Sequence, residues 1–252
     1  MKYKLNFLVR MKISVAKVKE YSLLLKEDLS KAIGYILILS IVVGMVLGVT
    51  QFTLLTVLEK SAKIVLKSEE FKFEINDGIL DFKNSPYKEE QGSSIVIIDS
   101  DKTLDESESL RTITVHKDMS SAFLQDGIIA RASGIEYKIK YSDIPFIETY
   151  VDNEIALNFL DKVKPIKYIV FLVMIILTYI LSLAKALLIS VAGVLANNMS
   201  GSKLKYKDVF KISIYSLTLP MIIALIIPIG SLSVIISAMY VSVAINNIAK
   251  NN

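Results

Sequence analysis

The sequence predicts a polytopic α-helical membrane protein: about four transmembrane helices and one inserted extracytoplasmic α+β domain, mainly antiparallel in its sheet. Three observations lead there. Apolar residues, 53% of the 252, are gathered into long uncharged runs and give a mean hydropathy of +0.51. Lysines cluster beside those runs, as they do on the cytoplasmic side of a bilayer. Between the first run and the second, residues 59–164 carry 14 Lys+Arg against 21 Asp+Glu, and their apolar period falls to two.

Residues 1–31 form a basic N-terminal segment, with Lys2, Lys4, Arg10, Lys12, Lys17, Lys19, Lys26 and Lys31 against Glu20, Glu27 and Asp28. The positive-inside rule puts it in the cytoplasm. Leu5, Phe7, Leu8, Val9 and Ile13 are interleaved with the cations. The segment therefore reads either as a basic amphipathic helix on anionic lipid or as a solvated, charged flank.

Residues 32–58, Ala32 to Leu58, are uncharged. As a helix they would reach ~40 Å, more than the ~30 Å hydrocarbon core. This first span outruns a signal-peptide core and lacks a small-residue cleavage site, so it reads as an uncleaved anchor. Gly44 and Gly48 have the spacing that lets another helix approach, although glycine is also ordinary in membrane helices.

Residues 59–164 are long enough for a domain with its own core. Both ends are helical by period, at Leu58, Ala62, Val65 and Leu66, and at Val151, Ile155, Phe159 and Leu160. Phe71, Phe73 and Ile75 alternate with charged residues, Asn76-Asp77-Gly78 turns the chain, and Leu80 and Phe82 return, which predicts a hairpin. Strands are expected at Ser94–Ile98 and Thr112–Val115, a second hairpin around Asp126-Gly127, and a strand through Ile135, Tyr137, Ile139 and Tyr141.

The second span, residues 165–196, starts at Pro165 and continues past Lys185 as a cytoplasmic extension. Lys185 either snorkels to the headgroups or lies inside the bundle, where no acidic partner exists in any span. Residues 197–211 form a basic cytoplasmic loop with Lys203, Lys205, Lys207 and Lys211. Ile212 to Ile248 is uncharged throughout and too long for one span. Pro228 and Gly230 divide it into a hairpin, residues 212–229 and 230–248, and Pro220 would kink its first arm. Lys250 then lies inside, so both termini are cytoplasmic in a multi-pass protein of the cell membrane.

Chemistry is sparse. There is no cysteine and one histidine, His116, which removes thiolate chemistry and most metal schemes. Asp99-Ser100-Asp101, followed by Asp105, Glu106 and Glu108, offers alternating carboxylates. A calcium loop starting at Asp99 would need Gly at Leu104 and Glu at Leu110, so a solvated turn is the plainer reading. His116 near Asp118, Ser120 and Ser121 matches no triad motif. No catalytic, cofactor-binding or metal-binding residue is assigned, and no cofactor. A nucleic-acid partner would need a basic folded face, whereas this domain is acidic.

The Asp77–Tyr87 stretch DGILDFKNSPY, the later SSIVIIDS strand and the Lys205–Pro220 run KYKDVFKISIYSLTLP resemble a Gram-positive bacterial membrane-protein family of unknown function. This is domain of unknown function 1189, sometimes labelled maltodextrin-utilisation protein. The likeness covers nearly the whole chain. The Lys205–Pro220 run is also, more loosely, similar to Yip-type membrane proteins. The family carries no catalytic residues over, and its label implies an accessory role near carbohydrate uptake. The expectation is a non-enzymatic accessory or scaffold component of a cell-envelope or carbohydrate-uptake system, with the bilayer and a membrane protein as partners. The alternative is an extracytoplasmic ligand sensor that signals through its connecting helices.

Overall fold

A computed structural model of the protein describes residues 5–107, 117–132, 135–145, 147, 149–227 and 229–250. Its helices are α1 (Phe7–Ala16), α2 (Tyr21–Leu25), α3 (Leu29–Lys67), α4 (Asn153–Val163), α5 (Ile166–Met199), α6 (Tyr206–Ser216), α7 (Thr218–Ile223) and α8 (Leu232–Lys250). Its strands are β1 (Phe73–Asn76), β2 (Ile79–Phe82), β3 (Tyr87–Gln91), β4 (Ser94–Asp99), β5 (Met119–Leu124), β6 (Gly127–Ala132), β7 (Ile135–Lys140) and β8 (Tyr150–Asp152). The expected strand Thr112–Val115, His116 and Pro228 lie outside the described residues. The chain divides into a helical unit, residues 1–55 with 166–252, and a sheet unit, residues 56–165.

Among the described residues, α3, α5 and α8 are long and apolar enough to cross a membrane. In the helical unit α3 meets α5 at its glycines. A Cβ on Gly44 would sit 2.7 Å from Ile175 Cα, and one on Gly48 would sit 2.9 Å from Phe171 Cδ2. The spacing read from sequence is thus a real close approach of two backbones.

Described residues of the basic N-terminal segment pack against the helical unit rather than standing in solvent. Ile13, Tyr21 and Leu24 are buried, and α1 and α2 pack on α6. Arg10 grips Glu27 through two hydrogen bonds of 2.7 and 2.8 Å, and the Tyr21 hydroxyl donates to the Ser14 carbonyl. The apolar residues interleaved with the lysines supply that contact, Ile13 buried and Leu5 and Phe7 packed against the same core.

The loop expected at 197–211 is shorter, because α5 runs to Met199 and α6 starts at Tyr206. Lys211 is a buried helical residue. Its ammonium donates to the Leu25 and Glu27 carbonyls at 2.7 and 3.0 Å and pairs with Asp208 at 2.8 Å. A buried ammonium is tolerable only with such partners.

The expected span at 212–229 is not one helix. α6 stops at Ser216 and α7 restarts at Thr218, where Pro220 has no N–H for the helical ladder. The Thr218 hydroxyl donates to the Tyr215 carbonyl across the break, and the Ser216 hydroxyl donates to the Ser213 carbonyl within the last turn of α6.

The sheet unit holds two sheets rather than one. The first has order β2-β1-β8, antiparallel throughout; the second has order β3-β4-β5-β6-β7, antiparallel except for the parallel pair β4–β5. The β1–β2 hairpin turns at Asp77 and Gly78, both at positive φ (48° and 77°), as a two-residue turn of this kind requires. Alternation gives the second sheet two apolar faces. Ile95, Ile97, Ala122 and Leu124 cluster with Leu104 on one side. Ile98, Phe123 and Ile128 join a different cluster on the other, with Ile75, Leu80, Phe82 and Val151 of the first sheet.

Candidate ligand-binding cavity

Between these two sheets the core is not filled. A cavity of about 510 Å³ lies within the sheet unit, in the range of small-molecule sites. It opens to solvent beside exposed lining residues, so it is a cleft of the unit rather than a sealed void.

Four sets of residues wall it. The last turns of α3 contribute Ala62, Val65 and Leu66. The first sheet contributes Phe73, Ile75, Leu80, Phe82 and Val151, all on one face because they alternate along their strands. The second sheet contributes Val96, Ile98, Phe123 and Ile128, and α4 contributes Ile155, Ala156, Phe159 and Leu160 at helical spacing. Phe71 braces one wall, with its ring 5.0 Å from Tyr87 and 6.3 Å from Phe82.

The two wall helices are tied together by polar groups. Asn153, the first residue of α4, donates through Nδ2 to the Leu66 and Phe71 carbonyls at 2.8 and 2.9 Å. Its Oδ1 accepts from the Phe73 amide at 2.9 Å. One side chain thus joins the end of α3, the turn after it and β1. Further along, Lys63 of α3 pairs with Asp161 of α4 at 2.6 Å and with Glu59 at 3.0 Å. Lys63 holds the Asp161 carboxyl below its ordinary value.

Polar groups in the wall are few. Tyr87, Glu89 and Tyr141 supply them, and Glu89 is the one charged residue among the described lining. Glu89 is exposed and accepts from the Tyr87 hydroxyl at 3.0 Å, which raises the Tyr87 pKa. Val65, Val96 and Ile155 are also exposed, so the cavity reaches solvent beside them. Tyr141 is different. It is 1% exposed, and its buried hydroxyl has no hydrogen-bond partner among the described residues. Burial, with Asp126 nearby, pushes its pKa upward and keeps the phenol neutral.

The residues singled out from sequence lie elsewhere. Asp99 is buried and caps its own turn, accepting from the Asp101 amide at 3.2 Å and pairing with Lys102 at 3.3 Å. Glu106 accepts from the Thr103 amide and hydroxyl. No group of three His, Cys, Asp or Glu side chains placed to hold a metal occurs among the described residues. Ser120 is buried on β5, and Ser121 lies next to it. Lys185 is exposed on α5 with its ammonium 3.4 Å from Ser233 Oγ. The cavity residues escaped notice because each reads as ordinary core; Tyr141 alone gave a signal, a phenol closing an apolar alternation.

The architecture defines a class: a protein with helices able to cross a membrane and a sheet-and-helix domain with an apolar cleft. The chain belongs to the family described as protein of unknown function (DUF1189), whose model matches residues 8–248. No curated protein and no solved structure matches it.

Proposed function

We infer that this is a non-enzymatic, multi-pass protein of the cell membrane whose sheet unit lies outside the cytoplasm and binds an apolar ligand. Both termini are cytoplasmic in this reading, with Lys-rich flanks inside and α6–α7 and α8 forming the last membrane hairpin. The observation that carries it is the 510 Å³ cavity, walled on two sides by α3 and α4. A ligand there touches both helices that lead toward the apolar runs. Occupancy then changes how α3 and α4 pack, and a membrane-protein partner reads the change. The protein is therefore a sensor that acts as an accessory to that partner.

The lining bears on the carbohydrate association of the family label. Each sugar hydroxyl left unpaired in an apolar site costs about 1–3 kcal/mol, whereas each buried methylene gains about 0.8 kcal/mol. A wall with three polar side chains among its described residues suits the methylenes. An accessory role in carbohydrate uptake would then rest on the partner, with no sugar in this cavity.

The test uses the absence of cysteine from the chain. Spin labels on Lys60→Cys and Lys162→Cys, in full-length protein in nanodiscs, report the α3–α4 separation. A shift in the distance distribution on adding an apolar probe such as octadecane supports the sensor reading. An unchanged distribution at saturating probe, with binding verified, sinks it.

A further inference from the structure

Among the described strands β7 pairs with β6 alone, and all six of its residues are exposed. Sheet edges are ordinarily kept short, bulged, covered or charged, because their outward amides and carbonyls accept any strand that matches them. β7 keeps an unbroken register with β6, and one of its faces is apolar. Ile135 and Tyr137 are 57% exposed and Ile139 is 46% exposed. The register carries this face inward to Met119 of β5, which is 59% exposed. Glu136, Lys138 and Lys140 occupy the other face.

The backbone fixes which groups point outward. The Tyr141 amide donates to the Asp126 carbonyl at 3.1 Å, and antiparallel pairs alternate between bonded and non-bonded. Ile135, Tyr137 and Ile139 therefore direct their amides and carbonyls to β6. Those of Glu136 and Lys138 face away from the sheet.

Charge then selects the occupant. Let a second β7 lie antiparallel with Tyr137 opposite Tyr137. Ile135 then meets Ile139, and Glu136 meets Lys138, each twice by symmetry. Apolar face joins apolar face, opposite charges oppose, and the outward groups of Glu136 and Lys138 form the bonded pairs. A one-residue slip sets Tyr137 against Lys138. A two-residue slip sets Lys138 against Lys138, or Glu136 against Glu136. Glu136 already accepts from Arg131 at 2.8 Å, and Lys138 donates to Ser107 at 2.9 Å. A carboxylate has further lone pairs and an ammonium further hydrogens, so both can also face a partner.

We propose that the protein is a homodimer through β7, which joins two five-stranded sheets into one continuous sheet about a two-fold axis at Tyr137. Pairing at this edge is independent of what fills the cleft.

The test uses the full-length, cysteine-free chain in membrane fragments open on both faces. At a non-bonded antiparallel pair the Cα atoms lie ~4.5 Å apart, close enough for a disulfide. Tyr137→Cys should therefore crosslink to itself under copper phenanthroline. Ile135→Cys alone should not, whereas Ile135→Cys and Ile139→Cys in co-expressed chains should crosslink to each other. On the Tyr137→Cys background, Lys138→Glu sets glutamates face to face and should cut the crosslinked fraction about tenfold, as should Glu136→Lys. Co-expressed, those two variants are complementary again and should crosslink to each other at the parent level, which shows that both fold.

No self-crosslink at Tyr137→Cys overturns the dimer. Equal crosslinking by Ile135→Cys alone marks chance collision and overturns the register on which the dimer depends. Failure of the co-expressed charge variants to recover overturns the Glu136–Lys138 pairing. Capture of a different protein at Tyr137→Cys gives the edge to another partner and overturns self-pairing.

Discussion

The Asn153 side-chain amide donates a 2.8 Å hydrogen bond to the Leu66 carbonyl, joining the first residue of α4 to the last turn of α3. A helix C-terminus leaves carbonyls without partners, and this amide supplies one. The same side chain also holds Phe71 and Phe73, so a single residue sets the geometry of the cavity rim.

Asn153→Ala removes three hydrogen bonds and should destabilise the sheet unit by about 3 kcal/mol, at roughly 1 kcal/mol net for each bond after water competes. Asn153→Asp should be worse, because a carboxylate would face two carbonyls. Hydrogen exchange checks this: the Phe73 amide should lose protection in both variants.

Gly44→Leu should cost about 1–3 kcal/mol by forcing α3 away from α5, since its Cβ would meet the Ile175 backbone at 2.7 Å. Gly34→Ala, with nothing within 4 Å of the new Cβ, should be neutral or stabilising. Thermal unfolding of the two variants in one detergent gives the comparison. Equal behaviour would mean the glycine contact is incidental.

The Lys63–Asp161 pair should be insensitive to pH over the physiological range. Asp161 is depressed in the folded state, so its contribution is complete above the unfolded carboxyl value near 3.8 and is lost as pH falls through the lower folded value. The difference in melting temperature between the parent and Asp161→Asn should stay constant from about pH 5 to 8 and vanish in strong acid. A difference that changes near pH 6 would show that another group governs the pair.

Much of this was legible in the chain. The Asn76-Asp77-Gly78 hairpin followed from turn chemistry, and the Gly44/Gly48 contact from spacing. What escaped was non-local. β1 pairs with β8 on one side and β2 on the other, and no local period announces a partner that far along the chain. The alternation at Ile135, Tyr137 and Ile139 did predict β7, yet all three remain exposed, because period reveals a strand without revealing what covers it. The interruption between Ser216 and Thr218 was signalled by Pro220, while the cavity was hidden by the ordinary look of each residue around it.

Tyr141→Phe should raise the stability of the ligand-free protein by about 1 kcal/mol, since it deletes a buried hydroxyl that has no partner among the described residues. Chemical denaturation of lipid-stripped protein measures it. A loss of stability would show that the hydroxyl is already satisfied when the cavity is empty.

Orientation is testable on the same cysteine-free background. Cysteines at the exposed positions Ser93 and Lys203 should differ completely towards a membrane-impermeant maleimide in intact cells. Only Ser93→Cys should react. Reaction at Lys203→Cys instead would invert the topology.

The pairing of Ile75 with Val151 brings a cost during synthesis. β1 is the middle strand of its sheet, but one of its neighbours is the last strand of the domain to leave the ribosome. Until then one edge of β1 has no partner, although the second sheet already covers the face that carries Phe73 and Ile75. A nascent chain halted before Tyr150 has every strand of the second sheet but leaves the β1 edge unpaired, so closure of the first sheet waits on three residues made after all the other strands.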